Sequence, residues 1–520
     1  MEEKELFLRM VLAIVLGIAV LLAFEKLWLR PGPKPPAPKE EALKPMEVMP
    51  EKGPEGEMLE EVVVDTPLYR ATFVPYGGRL KGFSLKRYMD KVEPHPFAKW
   101  VQGLVKKVTG KKAEYTPPRP VELVTTGEPG LLPLGTAFSG IPYDEGLPWS
   151  IEPPRPLPDG SLLLKMHWEG NGIRLEKSLR FLPKSYLIEL TLRGTRPFGV
   201  GLGWIGRTDL QKSYYGFYGP VFYAHGGRTK VKPKGLKDEK EVGEVEWFAF
   251  DQDYFASVIK PEGKGLLRLG RAKDEVVYGY LFAPGEGEEF RFWVFLGPKD
   301  PEELKKLSKN ATKVIDYGTF GFIAVPILKL MKLTHKVTGN YGLDIVLLAF
   351  FIKLVFLYPT QKSYQAMKEM QKLAPELKLL QKKYKDDPER LRREIMELYR
   401  RRKVNPFSGC LPLLLQLPVF FALYRALMTS IDLRHAPFVL WIRDLSSKDP
   451  TYISPLLMGF TMWLQQKLTP SQGDPQQQKL MLFMPLIFTV LFLTFPSGLV
   501  LYWLTSNVLG IVHQLWFLRR

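Results

Sequence analysis

The sequence predicts a membrane protein in two parts: an all-β domain outside the membrane and an α-helical membrane region, with six transmembrane helices in all. Three observations carry this. Long apolar runs crowd the 520-residue chain after about residue 340, and another fills residues 6–24. Residues 60–300 alternate apolar and polar side chains in short segments bounded by turn residues. Lysine and arginine outnumber aspartate and glutamate by 73 to 55, a net charge of +18, and they gather beside the apolar runs. That placement favours anionic lipids or ribosomal RNA as partners over a nucleic-acid-binding module. The single cysteine, Cys410, excludes an intrachain disulfide, and nothing near it activates a thiolate.

In chain order, "LFLRMVLAIVLGIAVLLAF" (residues 6–24) reads as an uncleaved anchor within residues 1–29. A cleaved signal peptide competes, but no small-residue cleavage site follows. Residues 30–58, with "RPGPKPPAPKEEALKP", form an extended tether. Residues 59–310 are the β domain. "LYRATFVPYGGRLKGFSLKRY" shows two strands around Gly77-Gly78, and "SLLLKMHWEG", "IRLEKSLRFL", "YLIELTLRG" and "FRFWVFLG" repeat the pattern of an antiparallel sandwich. Tyr214, Tyr215, Phe217, Tyr218, Phe222 and Tyr223 would suit a carbohydrate surface, but core packing is the plainer reading. His95, His167 and His225 lack metal-ligand spacing, so no metal, cofactor or catalytic group is expected.

Within residues 311–340, the stretch 319–337 carries Lys329, Lys332, His335 and Lys336 on a helical period and predicts an amphipathic interfacial helix. Residues 341–518 hold five spans at about 341–361, 409–429, 452–468, 479–495 and 499–517. Fourteen lysines and arginines between 362 and 405 put that loop in the cytoplasm, together with both termini, and so put the β domain outside. Asp387 as N-cap before Pro388, and Pro375 earlier, predict a helical hairpin there. Its charges, among them Lys382, Lys383, Arg392 and Arg393, are either a solvated face near lipid or a ribosome or nascent-chain contact.

Lys353 stands inside "LDIVLLAFFIKLVFLYPT". Taken as one helix from residue 341, this run puts Lys353 roughly 18 Å deep, at ~1.5 Å per residue. An ammonium at that depth costs about 2.5–3.5 kcal/mol. The four later spans contain no acid to pair with it, and Asp344 lies nine residues away. They do contain Gln416, Gln465, Thr505, Ser506 and Asn507, which together with Lys353 describe a hydrated, positively charged groove. Arg425 is a second cation, read as reaching for the outer interface. The scarcity of intramembrane acids weighs against a coupled transporter. A membrane-anchored sugar-binding protein is the other rival, although no acid/base pair shows in 60–300. No GxxxxGK loop is present, so ATP use is not expected.

Residues 312–517 resemble the YidC/Oxa/Alb family of membrane protein insertases. The resemblance rests on "NYGLDIVLLAFFIKLVFLYPTQKS", "KVNPFSGCLPLLLQLPVFFALYRALMTSIDLRHAPFVLWIRDLS" and "DPQQQKLMLFMPLIFTVLFLTFPSGLVLYWLTSN". The order of spans, hairpin and large domain is similar to the Gram-negative type. "PYGGRLKGF" and "WFAFDQDYFASVIKP" resemble that type's periplasmic domain. The resemblance implies a periplasmic β-supersandwich, a five-helix insertase core in the bacterial inner membrane, and a groove centred on one cation. That cation is usually arginine, and here it is Lys353. It further implies substrate contact at Leu411, Pro412, Pro418, Leu491 and Trp503. Nascent membrane proteins are the implied substrates, and the Sec translocon (SecYEG and SecDF) and the ribosome the implied partners. The sequence ends at Arg520, so the loops would have to serve any ribosome contact. Pro412 and Pro418 either loosen their helix for substrate or merely bend it.

Overall fold

The computed structural model describes residues 60–109, 116–143, 147–210, 217–236, 238–273, 275–385, 387–402, 404, 411–469 and 475–518. The expected anchor and tether, Cys410, Tyr214 and Tyr215 lie outside these residues.

Alternation produces strands where it was expected. In Tyr69–Val74, Tyr69, Ala71 and Phe73 are fully buried while the residues between them are not. This strand turns through Gly77-Gly78 and pairs antiparallel with Arg79–Met89. With Val62–Asp65 and Pro120–Glu122 they form a four-stranded sheet. The second sheet has thirteen strands built around the 21-residue strand Leu187–Arg207. The first half of that strand lies between Ile173–Phe181 and Gly287–Pro298. Past an irregularity between Arg193 and Phe198 it pairs with Val276–Phe282 and Thr136–Ser139. Its "GVGLG" run has a packing cause: a Cβ on Gly201 or Gly203 would come within 2.9 and 2.5 Å of the Phe282 and Tyr280 rings. All these pairings are antiparallel, and one apolar core joins the two sheets, including Phe73, Trp149, Trp168 and Trp247. Phe222 and Tyr223 are buried, with Tyr223 stacked 5.7 Å from Trp247, so these two belong to the core. One ion pair, Lys299 to Asp251 at 2.8 Å, is almost wholly enclosed.

Two helices belong to this domain, α1 (Pro96–Thr109) and α2 (Pro301–Leu307). Asp316 closes it. Its carboxylate accepts from Arg228 at 2.9 Å, from Lys230 at 2.5 Å and from the Gly318 amide at 2.9 Å. Burial pushes this carboxyl up, but the two cations outweigh burial and hold it well below the usual carboxylate range. Helix α3 (Gly321–Thr338) follows, stopped by left-handed Gly339. It buries Ala324, Ile327, Leu328 and Met331 and leaves Phe322, Leu333 and Val337 exposed along with Lys329, Lys332 and Lys336.

The helical region comprises α4 (Tyr341–Val355), α5 (Leu357–Lys372), α6 (Ala374–Lys383), α7 (Pro388–Arg401), α8 (Leu411–Thr429), α9 (Ile453–Leu468), α10 (Pro475–Phe492) and α11 (Ser497–Leu518). The helical hairpin is α6 and α7, with Asp387 capping α7 through the Arg390 amide at 3.0 Å and Arg402 reaching Glu376 at 2.6 Å. α11 packs on α4 and α9, α9 on α10, and α3 on α4 and α8.

One expectation is corrected. The run 341–361 is not a single helix: the chain breaks at Phe356, and α4 and α5 meet at 61°. Among the described residues no single helix is both long and apolar enough to cross a membrane, and α4 with α5 meets that test only as a pair. Polar groups and length help explain this, since α11 carries Thr505, Ser506, Asn507, His513 and Gln514, and α9 has only 16 residues.

The β domain packs against one end of these helices. Tyr254 Oη donates to the Leu427 carbonyl at 2.7 Å, and Ile431 joins the β-domain core. Arg434 donates to the Met89 carbonyl while its guanidinium covers the rings of Tyr254 and Phe255.

Candidate functional site

Helix α4 starts where the Asn340 side chain accepts from the amides of Gly342 at 2.8 Å and Leu343 at 3.2 Å. One turn on, Asp344 is buried. It accepts from Thr338 Oγ1 at 2.8 Å and lies 2.9 Å from His335 Nδ1, with the His335 ring stacked on Tyr341. This acid clamps the α3–α4 corner. At the opposite end of α4, the break at Phe356 puts Lys353 in the last turn. Carbonyl groups at a helix C-terminus favour a cation by about 0.3–1 kcal/mol, which offsets only part of the roughly 2.5–3.5 kcal/mol that an ammonium within a span costs.

The residues facing Lys353 come from α9 and α11. Gly510 is the meeting point: a Cβ built on it would lie 2.6 Å from Gln465 Nε2 and 3.2 Å from Lys353 Nζ. Only a residue without a side chain leaves the ammonium and the amide this close to α11. His513, one turn further, is within electrostatic reach of Lys353, and its ring lies 5.5 Å from that of Tyr364 on α5. Both ring nitrogens of His513 are buried and have no hydrogen-bond partner among the described residues. Gln514 Nε2 donates to Thr469 Oγ1 at 3.3 Å.

Toward the other end of α11, Gln416 Nε2 donates to Ser506 Oγ at 3.0 Å. Asn507 Nδ2 donates to Thr461 Oγ1 at 3.2 Å and to the Met458 carbonyl at 3.4 Å. Thr505, about 100° round the helix from Ser506, is half-buried and takes no part in these bonds. Of the six polar residues expected together, Lys353 and Gln465 therefore converge at one end, and Gln416, Ser506 and Asn507 gather about one turn away. Ser506, Gly510, His513 and Gln514 form a stripe about 12 Å long on α11. Sequence reading missed Gly510, His513, Gln514 and Tyr364. The i, i+4, i+7, i+8 spacing from Ser506 was the available signal.

The expected substrate-contact residues divide. Leu491 on α10 is half exposed, in company with exposed Leu486 and Val490. Pro412 and Pro418 on α8 are half-buried, and Pro418 lies inside the helix, where it offers no amide. Trp503 is only 4% exposed, enclosed by Phe420, Phe488 and Phe492 with ring centres 5.2–5.9 Å apart, so in this conformation it packs helices together. The Leu411 and Arg392 side chains lie outside what is described. On the hairpin, Lys382, Lys383 and Arg393 are exposed, and Lys382 helps line an open depression of about 490 Å³ with Pro375, Lys378, Leu379, Gln381 and Lys385. Arg425 lies against Gly318, in the second half of α8. Among the described residues no cluster of His, Cys, Asp and Glu could hold a metal ion.

Comparison with known proteins gives concordant results. The family described as "60Kd inner membrane protein" matches residues 333–520, and "YidC periplasmic domain" matches 116–330. The membrane protein insertase YidC of Syntrophus aciditrophicus (strain SB) is 39% identical over 491 residues, covering 90% of this chain and 86% of the relative. That of Nitratidesulfovibrio vulgaris (strain DP4) is 35% identical over 559 residues, covering 100% of both. A solved structure described as an active YidC insertase with its first transmembrane domain resolved covers 96% of this chain and 98% of its own, at 20% identity and a TM-score of 0.40.

Proposed function

The chain belongs to the YidC family of membrane protein insertases, and on that premise we propose that Lys353 is the centre of a hydrated groove through which nascent membrane proteins enter the bilayer. The family acts on nascent membrane proteins and is not enzymatic, and this member is a membrane protein with a periplasmic domain. In the proposed arrangement six helices span the bacterial inner membrane, both termini and the α6–α7 hairpin are cytoplasmic, and the groove opens toward the cytoplasm.

A substrate's polar leading segment enters beside Lys353, whose ammonium attracts its acidic residues. The neutral stripe on α11 supplies hydrogen bonds in place of water. The apolar span that follows slides along α8 and α10 past Leu491, Pro412 and Pro418. Burial of that span, at roughly 25 cal/mol per Å², and the membrane potential drive the process. Exposed Lys382, Lys383 and Arg393 are the candidate hairpin contacts for a ribosome or nascent chain. The Sec translocon is the candidate membrane partner.

One observation carries this reading: the convergence of Lys353 Nζ and the Gln465 amide on Gly510. Among the described residues Lys353 has no carboxylate partner, so its charge is available to a substrate. Asp344, the acid a coupled transporter would need, is instead engaged by His335 and Thr338.

The test is insertion of a short single-span substrate with an acidic leading segment into proteoliposomes by wild type, Lys353→Ala and Lys353→Arg. The groove mechanism requires loss with alanine and retention with arginine. Normal insertion by Lys353→Ala removes the charge from the mechanism and leaves the helix surface alone to carry it.

A further inference from the structure

Helix α1 is turned inside out for a helix of a water-soluble domain. Its sequence, "PFAKWVQGLVKKVT", repeats apolar residues with helical spacing, so Phe97, Trp100, Leu104 and Val105 share one face. That face should be the buried one. Instead Ala98 is its one fully enclosed side chain among those described, and Trp100 is 61% exposed, with Phe97, Leu104 and Val105 also in the exposed class. A row of exposed aromatic and aliphatic groups on one helix marks a contact surface.

Its surroundings say what covers it. The helix follows strand Arg79–Met89, whose last carbonyl accepts from Arg434 in the connection between α8 and α9. Phe97 stacks on Trp100 at 5.9 Å and meets the Trp441 ring of that same connection at 5.6 Å. Val439 and Leu440 beside Trp441 are exposed as well. The apolar face is thus continuous with the segment that joins the outer ends of two membrane helices. The helix contains three lysines and no acid; exposed Lys99, paired with Glu93 at 2.7 Å, lies opposite the apolar face, and exposed Lys107 borders that face beside Trp100 and Leu104. Tryptophan and phenylalanine on one face, with lysines at its border and opposite it, is the composition of a helix lying in the lipid headgroup region.

We infer that α1 docks the β domain onto the outer leaflet of the membrane, with its Phe97–Trp100–Leu104 face in the headgroup–acyl boundary and its lysines toward anionic headgroups. The helix then holds the domain at a second point besides Arg434 and Tyr254, against rocking over the outer ends of the spans.

Cys410 is the only cysteine, so the full-length Cys410→Ser protein accepts a single labelled cysteine. An environment-sensitive fluorophore is placed at Leu104→Cys or, on the polar side, at Lys99→Cys. The protein is reconstituted in phosphatidylcholine–phosphatidylglycerol vesicles containing a lipid with a nitroxide high on its acyl chain. The expected result is blue-shifted emission at position 104, quenched at least about twice as strongly as at position 99. Equal quenching at both positions, or none at 104, overturns the inference. Energy transfer between differently labelled copies without lipid quenching assigns the face to a second copy of the chain and overturns it equally. Because this readout is independent of insertion activity, it stands apart from the fate of the groove mechanism.

Discussion

Replacing Gly510 by valine tests the groove where its geometry is tightest. The new Cβ would enter a space in which Gln465 Nε2 is 2.6 Å away, Gln465 Cδ 3.3 Å and Lys353 Nζ 3.2 Å. These are the ends of flexible side chains, so they move and the helices stay. Overpacking of this kind costs about 1–3 kcal/mol, partly offset by the roughly 0.5 kcal/mol by which valine exceeds glycine in helix propensity. Stability should therefore fall only modestly. The electrostatic consequence is larger in proportion. With an effective dielectric of about 20, an ammonium about 5 Å from a substrate carboxylate gains about 3.3 kcal/mol, and at about 7 Å about 2.4 kcal/mol. The difference of about 1 kcal/mol is about a fivefold change in rate. The assay compares two single-span substrates in proteoliposomes, one with an acidic leading segment and one with those acids replaced by their amides. The acidic substrate should slow about fivefold, and the neutral one should change by less than about twofold. Equal slowing of both would mean that valine obstructs the helix contact and that charge placement is not what matters. No change in either would show that Lys353 does not act beside Gly510.

Two further predictions concern the β domain. Lys299→Met leaves the enclosed Asp251 carboxylate without its partner, and breaking a buried pair costs about 3–5 kcal/mol. Calorimetry of the full chain should show the β-domain transition lowered by roughly 6–20 °C, with Asp251→Leu added in the same chain restoring most of it. A shift below about 2 °C would mean that the pair is not enclosed as described. Asp316, held below the usual carboxylate range, contributes stability that is complete above its unfolded value near pH 4 and is lost as pH falls toward its lower folded value. Hydrogen exchange in the connection to α3 should therefore speed up on acidification in wild type. In Asp316→Asn it should be faster by about 1–3 kcal/mol at neutral pH and flat with pH, whereas a flat wild-type profile would contradict the clamp.

Much of this architecture is written locally. The β strands follow period-two alternation, the hairpin follows Asp387 and its neighbouring prolines, and α3 ends at its glycine. The 341–361 run misled because hydropathy does not register a 61° break between two apolar segments. The packing of Trp503 was not legible for a different reason: its exposure depends on Phe420 and Phe488, which arrive from other helices. α1 was not recognised because residues 59–310 were read for strands, although its lysine-bearing apolar period was there to be found.

The sequence alone determined that a cation would stand among helices offering amides and hydroxyls and almost no acids, because composition requires no coordinates. It also determined the order of β domain, two-sided helix α3, hairpin and later apolar helices, because each rests on periodicity and caps within a few residues. Only the tertiary structure decided that Lys353 closes a helix end, that Gly510 is the gap holding it beside Gln465, and that Asp344 is occupied by His335. Those are contacts between elements as many as 157 residues apart, from Lys353 to Gly510. They arise from how helices pack against one another, and helix packing is set by the summed shape of many side chains that no local pattern encodes.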